Sequence, residues 1–238
     1  MKYRYIFVDL DNTLLDFEAA EEYSFYYTAQ SRGLSFGEAE LERYQAINAP
    51  LWKMMERREI TKDALVVRRF RELFEELGIT GIDPEQYNAD YLNNLALCTR
   101  TIDGAEELCR FIHENGVLII ATNGVSATQH RRIAASGLEP WLDKVVVSDD
   151  AGAEKPDPRY FERAFAVSGA GDKSECIIIG DSLTSDIRGG QQFGIDTCWF
   201  NPKGKALPED MPAPTYTVSG LSEFIDILNG IVRNWKSI

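Results

Sequence analysis

Residues 5–14 of the chain read YIFVDLDNTL, in which an apolar run at 5–8 is followed at once by two carboxylates. The first four of these residues favour a strand that is buried on both faces, as in a parallel sheet. Asp9 and Asp11 follow two positions apart, so their side chains point in similar directions. Close carboxylates raise one another's pKa, so one can act as a nucleophile while the other carries a proton.

An Asp-x-Asp pattern also begins a calcium-binding loop of the EF-hand type. Such a loop needs glycine at its sixth position and glutamate at its twelfth. Leu14 and Ala20 stand at those positions, so the calcium-loop interpretation fails. For this short stretch alone, an acidic strand end capped by Thr13 stays open as the structural alternative.

Further apolar runs outside the first strand predict the rest of a sheet, and amphipathic stretches alternate with them. The predicted strands are 117–120, 145–147, 176–179, 197–200 and a weaker 216–218; the predicted helices are 104–115, 126–136, 158–168, 185–193 and 221–235. This alternation predicts an α/β fold, a Rossmann-like parallel sheet with helices on both faces. Ligands are then expected beyond the carboxyl ends of the strands.

The section 16–96 interrupts this alternation and contains no convincing strand. Its helical candidates are 18–32, 37–56, 62–77 and a fourth helix that opens with Asp83-Pro84. We therefore expect an all-helical domain at 16–96, inserted into a catalytic core made of residues 1–15 and 97–238.

The composition restricts the classes of function. The 238 residues include 25 Lys and Arg against 38 Asp and Glu, a net charge of −13. Nucleic acid polymers and anionic membranes are therefore poor partners. Only two histidines occur, which argues against a Ser-His-Asp triad or a histidine-rich zinc site and favours an active site built from carboxylates. The sequence shows neither a signal-peptide core nor a long apolar span, so a cytoplasmic protein is expected. Its four cysteines are not spaced as metal ligands and are expected to be free thiols. The sequence leaves the oligomeric state open.

A second pair of carboxylates follows the predicted strand 176–179. Asp181 and Asp186 would meet Asp9 and Asp11 at one edge of a parallel sheet. Four carboxylates in one crevice are costly unless a cation neutralises them, and carboxylate oxygens suit Mg²⁺. A capping role for Ser182 or Ser185, with Asp186 in a first helical turn, is compatible with this interpretation.

The remaining strand ends carry groups that suit a phosphate. Thr122 and Asn123 offer a hydroxyl and backbone N–H groups before a helix, although Thr-Asn-Gly is also a common turn. Lys155 precedes Pro156, which restricts the backbone there, and its charge could compensate both the carboxylates and a substrate phosphate.

Taken in order, these four elements resemble the motifs of the haloacid dehalogenase superfamily of phosphohydrolases. The insertion at 16–96 resembles the helical cap domain of that superfamily. Two longer segments, from Leu51 to Phe70 and from Gly180 to Gly204, are similar to the bacterial pyrimidine 5′-nucleotidase branch. The resemblance implies hydrolysis of a small phosphomonoester, most closely a nucleoside monophosphate, with Mg²⁺ as cofactor.

The resemblance also implies a role for each motif residue. Asp9 would attack phosphorus and form an aspartyl phosphate, and Asp11 would act as general acid and then base. Mg²⁺ would be held by Asp9, the Asp11 backbone carbonyl and Asp181, with Asp186 binding it through water or orienting the other ligands. The transferring phosphoryl group would be stabilised by Thr122, Asn123 and Lys155.

Alternatives within and outside the superfamily remain. Dehalogenation is disfavoured because Asp11 is present, and phosphonate hydrolysis because neither Lys53 nor Lys62 can be nominated as its cap lysine. A sugar phosphate phosphatase, a hexose phosphate mutase and a non-catalytic binding protein stay open. The aromatic residues of the insertion are expected to lie mainly in its core: Phe17, Tyr23, Tyr26 and Tyr27. Its arginines are expected to lie mainly on solvated helix faces: Arg57, Arg58, Arg68, Arg69 and Arg71.

Overall fold

A six-stranded parallel sheet forms the centre of the larger of two compact units. The computed structural model describes residues 1–231. The strands are β1 (Tyr5–Val8), β2 (Val117–Thr122), β3 (Lys144–Val147), β4 (Cys176–Gly180), β5 (Asp196–Phe200) and β6 (Tyr216–Val218). Their order is β3-β2-β1-β4-β5-β6, with parallel pairing throughout. The predicted α/β fold with a Rossmann-like sheet is confirmed.

Helices cover both faces of the sheet, because successive strand residues point to opposite sides. Ile6 and Val8 join one hydrophobic cluster, while Tyr5 and Phe7 join another. The helices of this unit are α5 (Ala105–Asn115), α6 (Ser126–Ala135), α7 (Ser148–Ala151), α8 (Pro158–Ser168), α9 (Arg188–Phe193) and α10 (Leu221–Leu228).

The register of the central strands places the site. Val8 pairs with Ile120 of β2 on one side and with Ile179 of β4 on the other. The residues after β1, β2 and β4 therefore emerge side by side at the carboxyl edge. The strand order changes direction between β1 and β4, and such a switch point is where open α/β sheets bind ligands.

Three local features differ from the sequence prediction. The short helix α7 was not predicted, and the predicted helix 185–193 is a π-helical turn over Leu183–Ile187 followed by α9. Helix α10 ends at Leu228, and the part of its predicted range beyond 231 lies outside the described residues. Short π-helical segments are rare and are often found at functional sites, which periodicity alone does not indicate.

The second compact unit comprises Glu18–Cys98, and the first comprises Met1–Phe17 and the chain from Thr99 onward. These boundaries lie two residues from the predicted 16–96. The unit is built from α1 (Phe17–Ser31), α2 (Glu38–Glu56), α3 (Lys62–Leu77) and α4 (Pro84–Leu95). Thr61 and Asp83 cap the starts of α3 and α4 with their side chains, and Gly78 ends α3 in the left-handed region at φ 65°.

A buried arginine organises the interior of this second unit. Arg69 donates hydrogen bonds to Tyr44 Oη at 3.0 Å and to Asn88 Oδ1 at 2.9 Å. It also lies 4.7 Å from the centroid of the Tyr91 ring. The predicted solvated role of the arginines is therefore wrong for Arg69, since its guanidinium is enclosed by polar and aromatic partners.

We expect Arg69→Met to lower the free energy of unfolding by about 2–4 kcal/mol, because two buried polar partners lose their donor. Urea unfolding followed by circular dichroism measures this loss. Arg68→Met is the matched control: Arg68 pairs with Glu72 near the surface, and its loss should cost less than about 1 kcal/mol. Equal losses for the two variants would contradict the structural role of Arg69.

Within residues 1–231, no helix combines the length and the apolar character needed to cross a bilayer. The four cysteines are free thiols, as expected from the sequence.

Candidate active site

Three carboxylates converge at the carboxyl edge of the sheet. Asp9 follows β1, Asp181 follows β4, and Asp186 lies in the π-helical turn after β4. One oxygen of each lies within 4.8 Å of the others. Asp9 is 7% exposed and Asp186 is 1% exposed, so the cluster is held largely away from water.

Lys155 joins two members of this acidic cluster. Its Nζ lies 2.7 Å from Asp9 Oδ1 and 2.6 Å from Asp186 Oδ1, and it also donates to the Ala121 carbonyl at 2.6 Å. The side chain is 1% exposed. The structure therefore places the lysine as a buried counter-charge for the carboxylates, with its ammonium group directed to Asp9.

Asn123 fixes the segment that carries this lysine. Its side chain donates to the Lys155 carbonyl and accepts from the Lys155 N–H, both at 2.8 Å. Such a two-bond contact mimics a backbone pairing and holds the loop after β2 against the Lys155 segment. Thr122 is buried beside it, and its Oγ1 accepts from the Gly124 N–H at 3.2 Å.

The Asp11 carboxylate is directed elsewhere, to helix α6. Its Oδ2 accepts from Gln129 Nε2 at 2.7 Å, and its Oδ1 pairs with Arg132 Nη1. Neither Gln129 nor Arg132 was predicted from the sequence. Both are buried polar residues three positions apart on one face of an otherwise ordinary helix, and that spacing was the available signal.

Two glycines allow the close approaches in this site. A Cβ at Gly180 would overlap the Asp186 carboxylate, and a Cβ at Gly124 would overlap the Gln129 side chain. Ser182 completes the loop after β4: its N–H donates to Asp186 Oδ2 at 3.2 Å, and its hydroxyl accepts from the Ser185 N–H at 3.2 Å. The capping role expected for Ser182 is thus present together with the carboxylate cluster.

Burial and like charge raise the pKa values of the cluster. Burial raises the pKa of Asp9 well above its usual range, with Lys155 opposing this and the neighbouring aspartates adding to it. Burial, followed by the charge of Asp186, raises the pKa of Asp181 to about 7. Burial alone would lower the pKa of Lys155, but the charges of Asp186 and Asp9 outweigh it and raise the pKa. The cluster therefore has more negative charge than one lysine neutralises.

The donor set suits a hard divalent cation. Hard oxygen ligands and unneutralised charge favour Mg²⁺ over softer metals, which prefer sulfur or imidazole. Neither histidine is in the set: His113 pairs with Asp143 and His130 with Asp150. The residues present thus fit a magnesium ion at Asp9, Asp181 and Asp186.

Two aromatic candidates of the helical insertion lie at its surface. Tyr23 and Tyr27 stack on one another with centroids 5.4 Å apart and are about half exposed, so the predicted core role is wrong for them. Arg57, Arg58 and Arg71 are exposed, as predicted.

Comparison with known proteins places this arrangement in a family. The family model of the haloacid dehalogenase-like hydrolases matches residues 3–194. The chain belongs to this family. It is a hydrolase, and the resemblance noted in its sequence is confirmed.

Relatives of similar length extend the comparison. "Putative HAD-hydrolase YfnB" of Bacillus subtilis is 38% identical, with 96% of each chain covered. Pyrimidine 5′-nucleotidase PynA of Streptococcus pneumoniae is 36% identical over 96% of each chain. Pyrimidine 5′-nucleotidase YjjG of Escherichia coli is 34% identical, covering 96% of this chain and 99% of its own.

Solved structures agree with the fold. The crystal structure of YfnB bound to magnesium, which reveals interdomain movement in that protein, superposes with a TM-score of 0.90 at 37% identity. It covers 96% of this chain and 100% of its own. An L-2-haloacid dehalogenase from Xanthobacter autotrophicus has a TM-score of 0.76 at 16% identity, covers 97% of this chain and 100% of its own, and shares the fold alone.

Proposed function

We propose that this hydrolase is a Mg²⁺-dependent phosphomonoesterase that acts on nucleoside 5′-monophosphates, preferentially those of pyrimidines. The observation that carries the chemistry is the buried lysine that joins Asp9 to Asp186 beside Asp181. A carboxylate next to a cation and a metal-binding set suits attack on phosphorus. The substrate class rests on the two nucleotidases that are similar over nearly the whole chain.

In the first half of the proposed reaction, Asp9 attacks phosphorus. A bond forms between an Asp9 carboxylate oxygen and phosphorus as the ester P–O bond breaks. Asp11 gives its proton to the departing alcohol oxygen, which would otherwise leave as an unstable alkoxide. Splitting the displacement in this way divides one difficult step into two easier ones.

In the second half, Asp11 acts in the opposite direction. It takes a proton from the water that attacks the aspartyl phosphate, so the bond from phosphorus to Asp9 breaks and inorganic phosphate is released. The Thr122 hydroxyl and the Asn123 N–H bind phosphoryl oxygens, while the charge of Lys155 opposes the charge on them. Asp9, Asp181, Asp186 and the Asp11 carbonyl would hold Mg²⁺, which supplies further positive charge beside the phosphoryl group.

The helical unit is proposed to act as the cap that selects the leaving group. Its exposed Tyr23 and Tyr27 pair offers a flat aromatic surface on which a nucleobase could stack. Sugar phosphates are the second substrate class to test. N-acylneuraminate-9-phosphatase of Mus musculus is 32% identical, but over only 48% of this chain and 46% of its own. The full-length similarity therefore favours nucleotides.

A substrate panel tests the proposal directly. With Mg²⁺, we expect inorganic phosphate from dUMP, dTMP and 4-nitrophenyl phosphate, and more than about a hundredfold loss on addition of EDTA, because three carboxylates then lack their cation. Purine nucleotides and hexose phosphates serve as the comparison. Nucleotide binding without phosphate release would indicate a binding protein, and isomerised sugar phosphate without phosphate release would indicate a mutase.

A further inference from the structure

The Asp11 carboxylate is held on both of its oxygens by one helix. Gln129 Nε2 donates to Oδ2 at 2.7 Å, and Arg132 Nη1 pairs with Oδ1. The same Nη1 lies 3.1 Å from Gln129 Oε1, so the two α6 side chains also contact one another. Three side chains thus form a closed ring of hydrogen bonds, and each of them restricts the other two.

Gln129 also reaches the proposed phosphate-binding residue. Its Nε2 donates to Thr122 Oγ1 at 2.8 Å, and that oxygen accepts a second bond from the Gly124 N–H. With these two donors on the oxygen, the Thr122 hydroxyl hydrogen must point away from them. One amide nitrogen therefore spans the proposed acid–base residue and the proposed phosphate-binding hydroxyl.

The donors Gln129 and Arg132 are buried, whereas the Asp11 carboxylate that they hold is partly exposed. The Arg132 side chain is fully buried, and Gln129 is 2% exposed, whereas the Asp11 side chain is 25% exposed. Rigid donors on the inner side and an open outer side are what a carboxylate needs when it must meet a reactant in a fixed orientation. A surface ion pair would give no such restriction.

Arg132 is itself fixed by its surroundings. Its guanidinium lies 5.8 Å from the centroid of the Phe17 ring, and the arginine follows Gln129 by three positions on the same helix face. Its Nη1 contacts both Asp11 Oδ1 and Gln129 Oε1, so one guanidinium nitrogen orients the carboxylate and the amide together. Helix α6 begins only four residues after Thr122, the last residue of β2, so the strand end and the helix that carries Gln129 and Arg132 are joined by a short loop.

We propose that Gln129 and Arg132, the α6 clamp, are positioning residues that fix Asp11 for proton transfer and couple it to Thr122. This inference rests on the proposed function, because it takes Asp11 to be the acid that protonates the leaving group. It goes beyond that function by assigning two residues outside the four sequence motifs.

The test compares two leaving groups. A nucleoside would leave as an unstable alkoxide unless Asp11 supplies a proton. The 4-nitrophenolate ion, by contrast, is stable enough to leave without one. For Arg132→Met we expect kcat/KM to fall about a hundredfold with dUMP and less than about fivefold with 4-nitrophenyl phosphate, since general acid catalysis contributes about 10²–10⁴-fold. Gln129→Met should also lose more with dUMP than with 4-nitrophenyl phosphate, but its loss with the latter should exceed that of Arg132→Met, because Thr122 loses a donor too. Arg132→Lys should recover part of the loss.

A matched control and a double variant exclude a merely structural role. Arg131→Met, at the exposed neighbouring position, should leave both rates within about twofold. Asp11→Asn with Arg132→Met should be no slower on dUMP than Asp11→Asn alone, because residues that act as a unit are not additive. Thermal unfolding of each variant shows that it is folded, and Gln129→Met and Arg132→Lys carry the test if Arg132→Met is not.

Equal losses on the two substrates would overturn the α6 clamp, as would faster hydrolysis of dUMP by Arg132→Met or multiplicative losses in the double variant. A wild-type protein that releases phosphate from neither substrate would instead overturn the proposed function, and the clamp with it. The two failures are therefore distinguishable.

Discussion

Replacing Asp9 by asparagine is expected to lower kcat for phosphate release by at least about 10⁴-fold. The amide keeps the shape of the carboxylate, and its oxygen can still accept from Lys155 Nζ. It is a far weaker nucleophile, however, so no bond to phosphorus forms. A continuous phosphate assay with dUMP and Mg²⁺ measures the loss.

Two further measurements make the Asp9 result specific. Asp210→Asn changes an exposed aspartate and should retain wild-type activity within about twofold. In the wild-type protein, acid quenching during turnover should trap a phosphoryl group on the peptide that contains Asp9, and the Asp9→Asn variant should trap none. Activity within tenfold of wild type in that variant would place the nucleophile at another residue.

Replacing Lys155 by methionine is expected to reduce both turnover and stability. The variant leaves Asp9 and Asp186 without the counter-charge that now lies 2.7 and 2.6 Å from them. Removing one partner of a buried pair costs about 3–5 kcal/mol, and we expect kcat to fall at least about 10³-fold. Urea unfolding in EDTA and the phosphate assay measure the two effects separately.

The stability loss should depend on pH in a known direction. The pKa values of Asp9 and Asp181 are both raised, so the folded state binds these protons more tightly than the unfolded state does. The stabilising effect of the bound protons is lost as pH rises, for Asp181 through its pKa of about 7. Without Lys155 these pKa values rise further, while the lysine itself is charged throughout this range. The deficit of Lys155→Met should therefore be larger at pH 8 than at pH 5.5.

Lys144→Met is the control for this comparison, because Lys144 is an exposed lysine at the start of β3. It should show no pH-dependent deficit. A Lys155→Met deficit that is equal at the two pH values, or smaller at pH 8, would contradict the role of Lys155 as the counter-charge of the acidic cluster.

The sheet was predictable because strands that are buried on both faces appear in the sequence as continuous apolar runs. Uncharged runs such as 176–179 are typical of buried strands when amphipathic stretches lie between them, and β4 covers Cys176–Gly180. Parallel strands also bring their carboxyl ends to one edge. Asp9, Asp181 and Lys155 could therefore be expected near one another from their positions after strands.

The partners of Asp11 could not be predicted in the same way. Gln129 and Arg132 contact it from more than a hundred residues away, and their positions on α6 have meaning only once that helix is placed against the loop after β1. The three hydrogen bonds of Lys155 are likewise a tertiary property. Arg69 was assigned to a solvated surface because burial of a charge depends on partners from other helices, which a single helix does not reveal.

The in-register pairing of β1 with β2 and β4 has a consequence for changes in chain length. The candidate site residues at these strands follow them directly or after one short turn, so backbone pairing sets their separation and the connecting segments do not. One residue inserted within β4 would reverse the alternation of its side chains and displace Asp181. Insertions between α2 and α3 would leave that pairing untouched. Connections away from this edge of the sheet, such as the one between α2 and α3, can therefore change in length while Asp9, Asn123 and Asp181 keep their spacing.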